Sequence, residues 1–221
     1  MNFLTGIFKV FNSDDLLNQA LLDCYKMLDL TKKMFNESID NLRYDKSSEI
    51  DIYLMDKEIN EFERVVRRKI MTHLSVNSET NLSAGLVLVS VVIDIERIGD
   101  YTKNICDLAV NHKGKLLFGI EEKKLSIIEN NVKDYFNNTI DAFKNQDIDL
   151  ARKLMEEYKS DISAESSKLV NSIISGEIKD LSSVQAGSLC LYLRYLKRIS
   201  GHSKNLVSSI VNPFERIGYS E

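Results

Sequence analysis

The sequence predicts an all-α protein, two tandem three-helix bundles forming a six-helix array, and three observations predict it. First, one proline, nine glycines and no tryptophan in 221 residues leave few turn signals. Second, apolar residues recur at helical spacing over runs of about 25–30 residues. Third, sliding the chain by 101 residues lays IERIGDYTKNIC (95–106) over LKRISGHSKNLV (196–207). Arg97/Arg198, Ile98/Ile199, Lys103/Lys204 and Asn104/Asn205 coincide, and pattern breaks near 45 and 146 share the offset. Such self-similarity is the mark of a duplicated structural unit.

Each element has its own justification. Residues 1–12 form a leader in which Phe3, Leu4, Ile7, Phe8 and Phe11 are spaced to fold onto the bundle. Repeat 1 spans 13–112. Ser13-Asp14-Asp15 opens its first helix with a hydroxyl cap and acids in the first turn, as the helix dipole favours. Leu17, Leu21, Cys24, Leu28, Met34 and Ile39 give that helix its apolar stripe, which breaks at Tyr44–Ser48. A second helix is expected from about Glu49 to His73 and a third from about Asn81 to Val110, with HKGKLLFG (112–119) as the joint. Repeat 2 spans 119–212. Its fourth helix runs from about Glu121 to Phe143, Asp147 caps a fifth to Ile174, and Asp180 caps a sixth to Val211. A tail, 213–221, repeats the letters ERIG too near the end to form another unit.

Several function classes are disfavoured. A net charge of −4 and a pI near 5.5 argue against nucleic acid as a partner. Cys24, Cys106 and Cys190 are odd in number and widely spaced, so they read as small core residues and not as a disulfide or zinc framework. The start has no signal-peptide pattern, and AGLVLVSVVI (84–93) falls short of the roughly 20 residues that span a bilayer. A soluble, cytoplasmic protein, peripheral to a membrane at most, is expected. None of His73, His112 and His202 follows a glutamate by three residues, so the helical di-iron pattern is absent. Surface, capping or packing roles suit these histidines better. No nucleophile–base pattern or phosphate-cradling loop occurs, and an enzyme is not expected. The basic run Arg64–Lys69 reads as a solvated face paired with Glu61 and Glu63.

The stretch DIERIGDYTKN (94–104) carries the chemistry. On a helical wheel Glu96, Asp100, Asn104 and Asp107 fall within about 80°, continuing the line of Leu86, Val89 and Ile93. Acids at i and i+4 repel by roughly 0.2–0.5 kcal/mol, and partial burial makes the cost larger. Either a cation bound between helices offsets this, or the acids pair locally, Asp94 with Arg97 and Asp100 with Arg97 or Lys103.

DIERIGDYTKNI resembles the signature of the PhoU family, in which an Arg-Ile-Gly-Asp stretch followed by Asn marks the third helix of each repeat. The resemblance is strong over 95–105 and moderate over 196–206. It implies tandem three-helix repeats and paired acidic motifs on adjacent helices that hold iron or zinc. Carried onto this chain, the motifs are Glu96 and Asp100 on the third helix and Asp56 with Asn60 on the second. Asn60 replaces an acid. In repeat 2 the matching positions carry Lys197, Gly201, Lys159 and Ser163, so one metal site per chain at most is implied. The resemblance further implies an accessory regulator of phosphate uptake or signalling, a homodimer that contacts a phosphate transporter or a sensor histidine kinase. A metal-free helical adaptor and an accessory subunit of a sodium-phosphate type carrier are the alternatives.

Overall fold

The computed structural model describes residues 15–48, 50–76 and 78–219. The expected leader, the Ser13 cap and Glu49 lie outside the described residues. Helices α1 (Leu16–Tyr44), α2 (Ile52–Val76) and α3 (Ser78–His112) pack as one bundle. Helices α4 (Glu122–Asn145), α5 (Ile148–Glu157), α6 (Ala164–Ile174) and α7 (Ser183–Val211) pack as the second. The fifth helix foreseen from the sequence is α5 and α6 joined by a π-helical turn, Tyr158–Ser163. No strand occurs among the described residues.

Local chemistry sets the helix ends. Asp15 caps α1, its Oδ1 accepting from Leu17 N at 3.1 Å. Asp147 caps α5 in the same manner, accepting from Leu150 N at 3.0 Å. Helices α1 and α4 both end on a left-handed residue, Asp45 at φ 56° and Gln146 at φ 54°, one repeat apart. The cap of α7 is Ser182 and not the expected Asp180, which instead takes a left-handed turn conformation at φ 64°. Ser182 wins because Gln185 completes a capping box. The Ser182 hydroxyl accepts from Gln185 N at 3.2 Å while Gln185 Oε1 accepts from Ser182 N at 3.1 Å.

The apolar stripe of α1 (Leu17, Leu21, Cys24, Leu28, Met34) is buried, as are Leu125, Ile128, Val132 and Phe136 of α4. Truncating a side chain such as Leu28 to alanine should cost about 2–5 kcal/mol. Phe35 and Phe136 meet edge to face across the repeats, centroids 5.8 Å apart. The main seam between the bundles is α3 against α7.

The joint between repeats is fastened, not slack. Leu116 and Phe118 are buried, and Leu116 N donates to Leu42 O at 2.9 Å. Arg43, itself buried, donates to Leu116 O and to the carboxylates of Glu122 and Glu129, the last at 2.7 Å. Tyr192 of α7 donates to the same Glu129 oxygen at 2.6 Å. Burial would lower the pKa of Arg43, but Glu129 and Glu122 outweigh it and hold the charge. This cluster ties the end of α1 to α4 and α7. All three cysteines are free thiols, their pKa values raised by burial.

Candidate functional site

Asp56 and Asn60 sit one turn apart on α2, and Glu96 and Asp100 one turn apart on α3. The helices approach closely here because position 99 is glycine. A Cβ at Gly99 would stand 3.3 Å from Ile59 Cδ1. The four residues therefore share one crevice, but a lysine organises it. Lys103 Nζ donates to Asp56 Oδ2 at 2.7 Å and to Asp100 Oδ1 at 3.3 Å. Asn60 Nδ2 adds a long contact to Asp56 Oδ2 at 3.4 Å, and Arg97 Nη1 donates to Asp100 Oδ2 at 3.1 Å. Burial works to lower the pKa of Lys103, yet the bonds to Asp56 and Asp100 raise it overall. It remains a cation.

Glu96 is left over. Its Oε2 is buried without a hydrogen-bond partner. Arg97 Nε approaches to 3.4 Å, a charge contact whose angle makes no hydrogen bond. Burial, and then the neighbouring Asp100, push the Glu96 pKa from an ordinary 4.5 up to about 7, against the pull of Arg97. The crevice thus pairs a satisfied acid–lysine–acid bridge with a carboxyl group poised to take up a proton near neutrality. Lys103 stands between the two aspartates that a metal ion would have to bridge. Among the described residues no three of His, Cys, Asp and Glu come together in an arrangement that could hold a metal.

The rest of the acidic line is resolved by neighbours on other helices. Asp107 accepts from Tyr53 OH of α2 at 2.6 Å, a bond that pushes the Tyr53 pKa up to about 12. Asp94 does not pair with Arg97. It is buried and turned toward α7, where His202 Nδ1 lies 2.8 Å away and Asn205 Nδ2 donates at 2.9 Å. A carboxylate partner requires the proton on Nδ1, leaving Nε2 to face Arg198 Nη2 at 3.4 Å. His202 also stacks on Tyr101 with centroids 5.8 Å apart. Sequence reading missed this link, although Tyr101/His202 is a mismatch inside the repeat alignment and could have flagged it.

His73 also differs from its expected surface or capping role. It is buried, with Nδ1 2.5 Å from Asp15 Oδ1 and Nε2 3.1 Å from Asn81, so it locks the start of α1 onto α2 and α3. The basic run behaves largely as expected, with Arg64 on Glu61 at 2.6 Å and Arg67 on Glu63 at 2.7 Å. Lys69 turns inward to Asp23 at 2.6 Å, which Lys26 also meets at 3.0 Å. Burial raises the Asp23 pKa, but the two lysines bring it below the usual carboxylate value.

Repeat 2 presents the inverse. Lys197, in place of the third-helix acid, donates to Ser167 Oγ at 2.6 Å. Gly201, in place of the second acid, lines a cavity of about 300 Å³. Ser163 closes the π-helical turn, and the side chain of Lys159 lies outside the described residues. Lys204 donates to Gly218 O at 2.6 Å.

Comparison with known proteins fits this geometry. The PhoU domain model matches the chain twice, over residues 25–109 and 125–210. The chain is 27% identical to the phosphate-specific transport system accessory protein PhoU homolog 1 of Thermotoga maritima, over 86% of this chain and 83% of the relative. It is 25% identical to a PhoU homolog of the same description from Pseudomonas putida, covering 93% and 80%. The crystal structure of PhoU from Pseudomonas aeruginosa superposes with a TM-score of 0.78 over 89% of this chain and 95% of that one, at 22% identity. The phosphate transport system regulatory protein PhoU from Streptococcus pneumoniae gives 0.66 over 88% and 91%, at 18% identity. These two likenesses show the fold.

Proposed function

The chain belongs to the PhoU family, and we propose that it serves as an accessory protein of a phosphate-specific transport system, acting by contact with a transporter or a sensor histidine kinase. The observation that carries this reading is the double match of the family domain, one copy in each bundle. Relatives described as accessory proteins of phosphate-specific transport support it. No described helix is long and apolar enough to cross a membrane, which suits a role alongside a transporter and not as its channel. A homodimer belongs to this reading, checked by light scattering at tens of micromolar concentration.

Asp56 and Asp100 could hold iron or zinc, one site per chain, only with Lys103 displaced, and Glu96 only when it is ionised. Asn60 supplies no charge. As the side chains stand, they do not fit a metal cluster, and the contact function is drawn without one. The alternative of a metal-free adaptor is favoured by this lysine bridge.

The experiment is affinity capture of the tagged chain from phosphate-replete cells of its own host, alongside phosphate uptake in cells lacking the gene. Recovery of a phosphate-transporter subunit or a sensor kinase, with altered uptake on deletion, is the expected result. Unchanged uptake together with neither partner recovered would overturn the reading.

A further inference from the structure

We propose that the cavity of repeat 2 is a binding site for a phosphate group, either the free ion or the phosphate chain of a small ligand. The inference goes beyond the accessory-protein reading, because it concerns a pocket of this chain and is read in the purified protein.

Four cationic side chains, Arg194, Lys197, Arg198 and Lys204, line the cavity of about 300 Å³, and no carboxylate does among the described residues. Arg194, Lys197 and Arg198 meet no carboxylate among the described residues. Lys197 meets the Ser167 hydroxyl, Arg198 donates to Tyr101 OH at 3.1 Å and faces His202, and Lys204 donates to Gly218 O. Asp94 stands behind the wall, already held by His202 and Asn205. Like charges gathered on one concave surface repel in the empty state and focus a positive field outward. A multivalent oxyanion relieves that repulsion, and guanidinium groups match its oxygens with paired donors.

The backbone keeps the cavity open. Gly201 lines it without a side chain, and a Cβ there would come within 3.3 Å of Tyr158 OH. Tyr158 begins the π-helical turn, a device found often at functional sites. Lys204 Nζ lies 5.6 Å from the Tyr158 ring centroid, which sets the ammonium over an aromatic wall. The volume suits a phosphate with its waters or a short phosphate chain, and is small for a folded partner.

Isothermal titration of the purified full chain, in chloride buffer at matched ionic strength, would use orthophosphate, tripolyphosphate and sulfate. Saturable binding of a phosphate species in preference to sulfate is expected. Orthophosphate binding assigns the free ion, and tripolyphosphate alone assigns a phosphate chain. Arg194→Gln/Lys197→Gln should weaken binding by about tenfold or more. Lys124→Gln/Lys168→Gln, which removes the same charge from a different cavity, should leave binding unchanged. No saturable binding, sulfate bound as tightly as phosphate, or equal loss in both double variants would overturn the proposal. Circular dichroism of each variant confirms that a loss is not unfolding.

Discussion

The two bundles carry nearly the same letters at one spot and use them in opposite ways. In repeat 1, Lys103 bridges Asp56 and Asp100, and Arg97 binds Asp100. In repeat 2 the matching Lys204 donates to a carbonyl oxygen and Arg198 to a tyrosine hydroxyl. The conserved-looking basic residues did not decide the chemistry; the replaced acids did. Two substitutions, Lys197 opposite Glu96 and Gly201 opposite Asp100, convert an acid crevice into a cationic cavity while the helix that carries them keeps its core face. A duplicated fold can hold packing constant and invert the charge of a site.

The largest expected effect tests whether buried charge at the joint is worth more than charge in either crevice. Arg43→Met leaves Glu129 buried without its cation and should destabilise the fold by about 3–5 kcal/mol in urea melts. A loss no larger than that from Lys103→Met would erase the distinction. Next, Lys103→Met removes a cation that is partly solvated, so a smaller loss of about 1–3 kcal/mol is expected at neutral pH. The same variant should carry more iron or zinc by elemental analysis than the wild type, whereas Glu96→Gln/Asp100→Asn should carry none. Equal metal in all three would place any metal elsewhere.

Glu96→Gln should act in the other direction. The folded-state pKa of about 7 lies above the ordinary 4.5, so ionised Glu96 penalises the fold above pH 7. That penalty fades as pH falls through 7 and is gone below 4.5. The glutamine variant should therefore be more stable by about 1–2 kcal/mol at pH 8, and indistinguishable from wild type near pH 4. A gain that persists at pH 4 would show that packing, not ionisation, is responsible. Smallest of all is Gly201→Asp, which returns an acid to repeat 2 within reach of Lys204. Stability should change by only about 0.5 kcal/mol, since the added Cβ meets the movable hydroxyl of Tyr158. The sharper readout is phosphate titration, where this variant should lose binding.

Much of this was legible in the sequence. Apolar spacing and the rarity of breaks gave the helices, and the 101-residue offset gave the repeat, because period and turn chemistry are local properties. The sharing of a crevice by Asp56, Asn60, Glu96 and Asp100 could be expected from the resemblance. What stayed hidden was partner choice across helices. Lys103 reads as an i,i+3 partner of Asp100, and its bridge to Asp56 depends on how near α2 lies. Arg43 and Glu129 look like ordinary surface charges in their own helices and become a buried pair only when the bundles meet. The π-helical turn was illegible for a different reason: one extra residue in a helical turn leaves the apolar pattern almost intact on both sides.

The link from Asp94 to His202 and Asn205 has a consequence for the history and engineering of such chains. Its acid comes from α3 alone, since the position equivalent to Asp94 in the other copy is Tyr195. The two halves are therefore a lock and its key, no longer two copies of one part. A chimera made of two first repeats would set an aspartate against a tyrosine and strand a buried charge, and two second repeats would present a histidine with nothing to grip. Once a seam becomes asymmetric in this way, neither half can be replaced by its sibling, and later change must pass through both together.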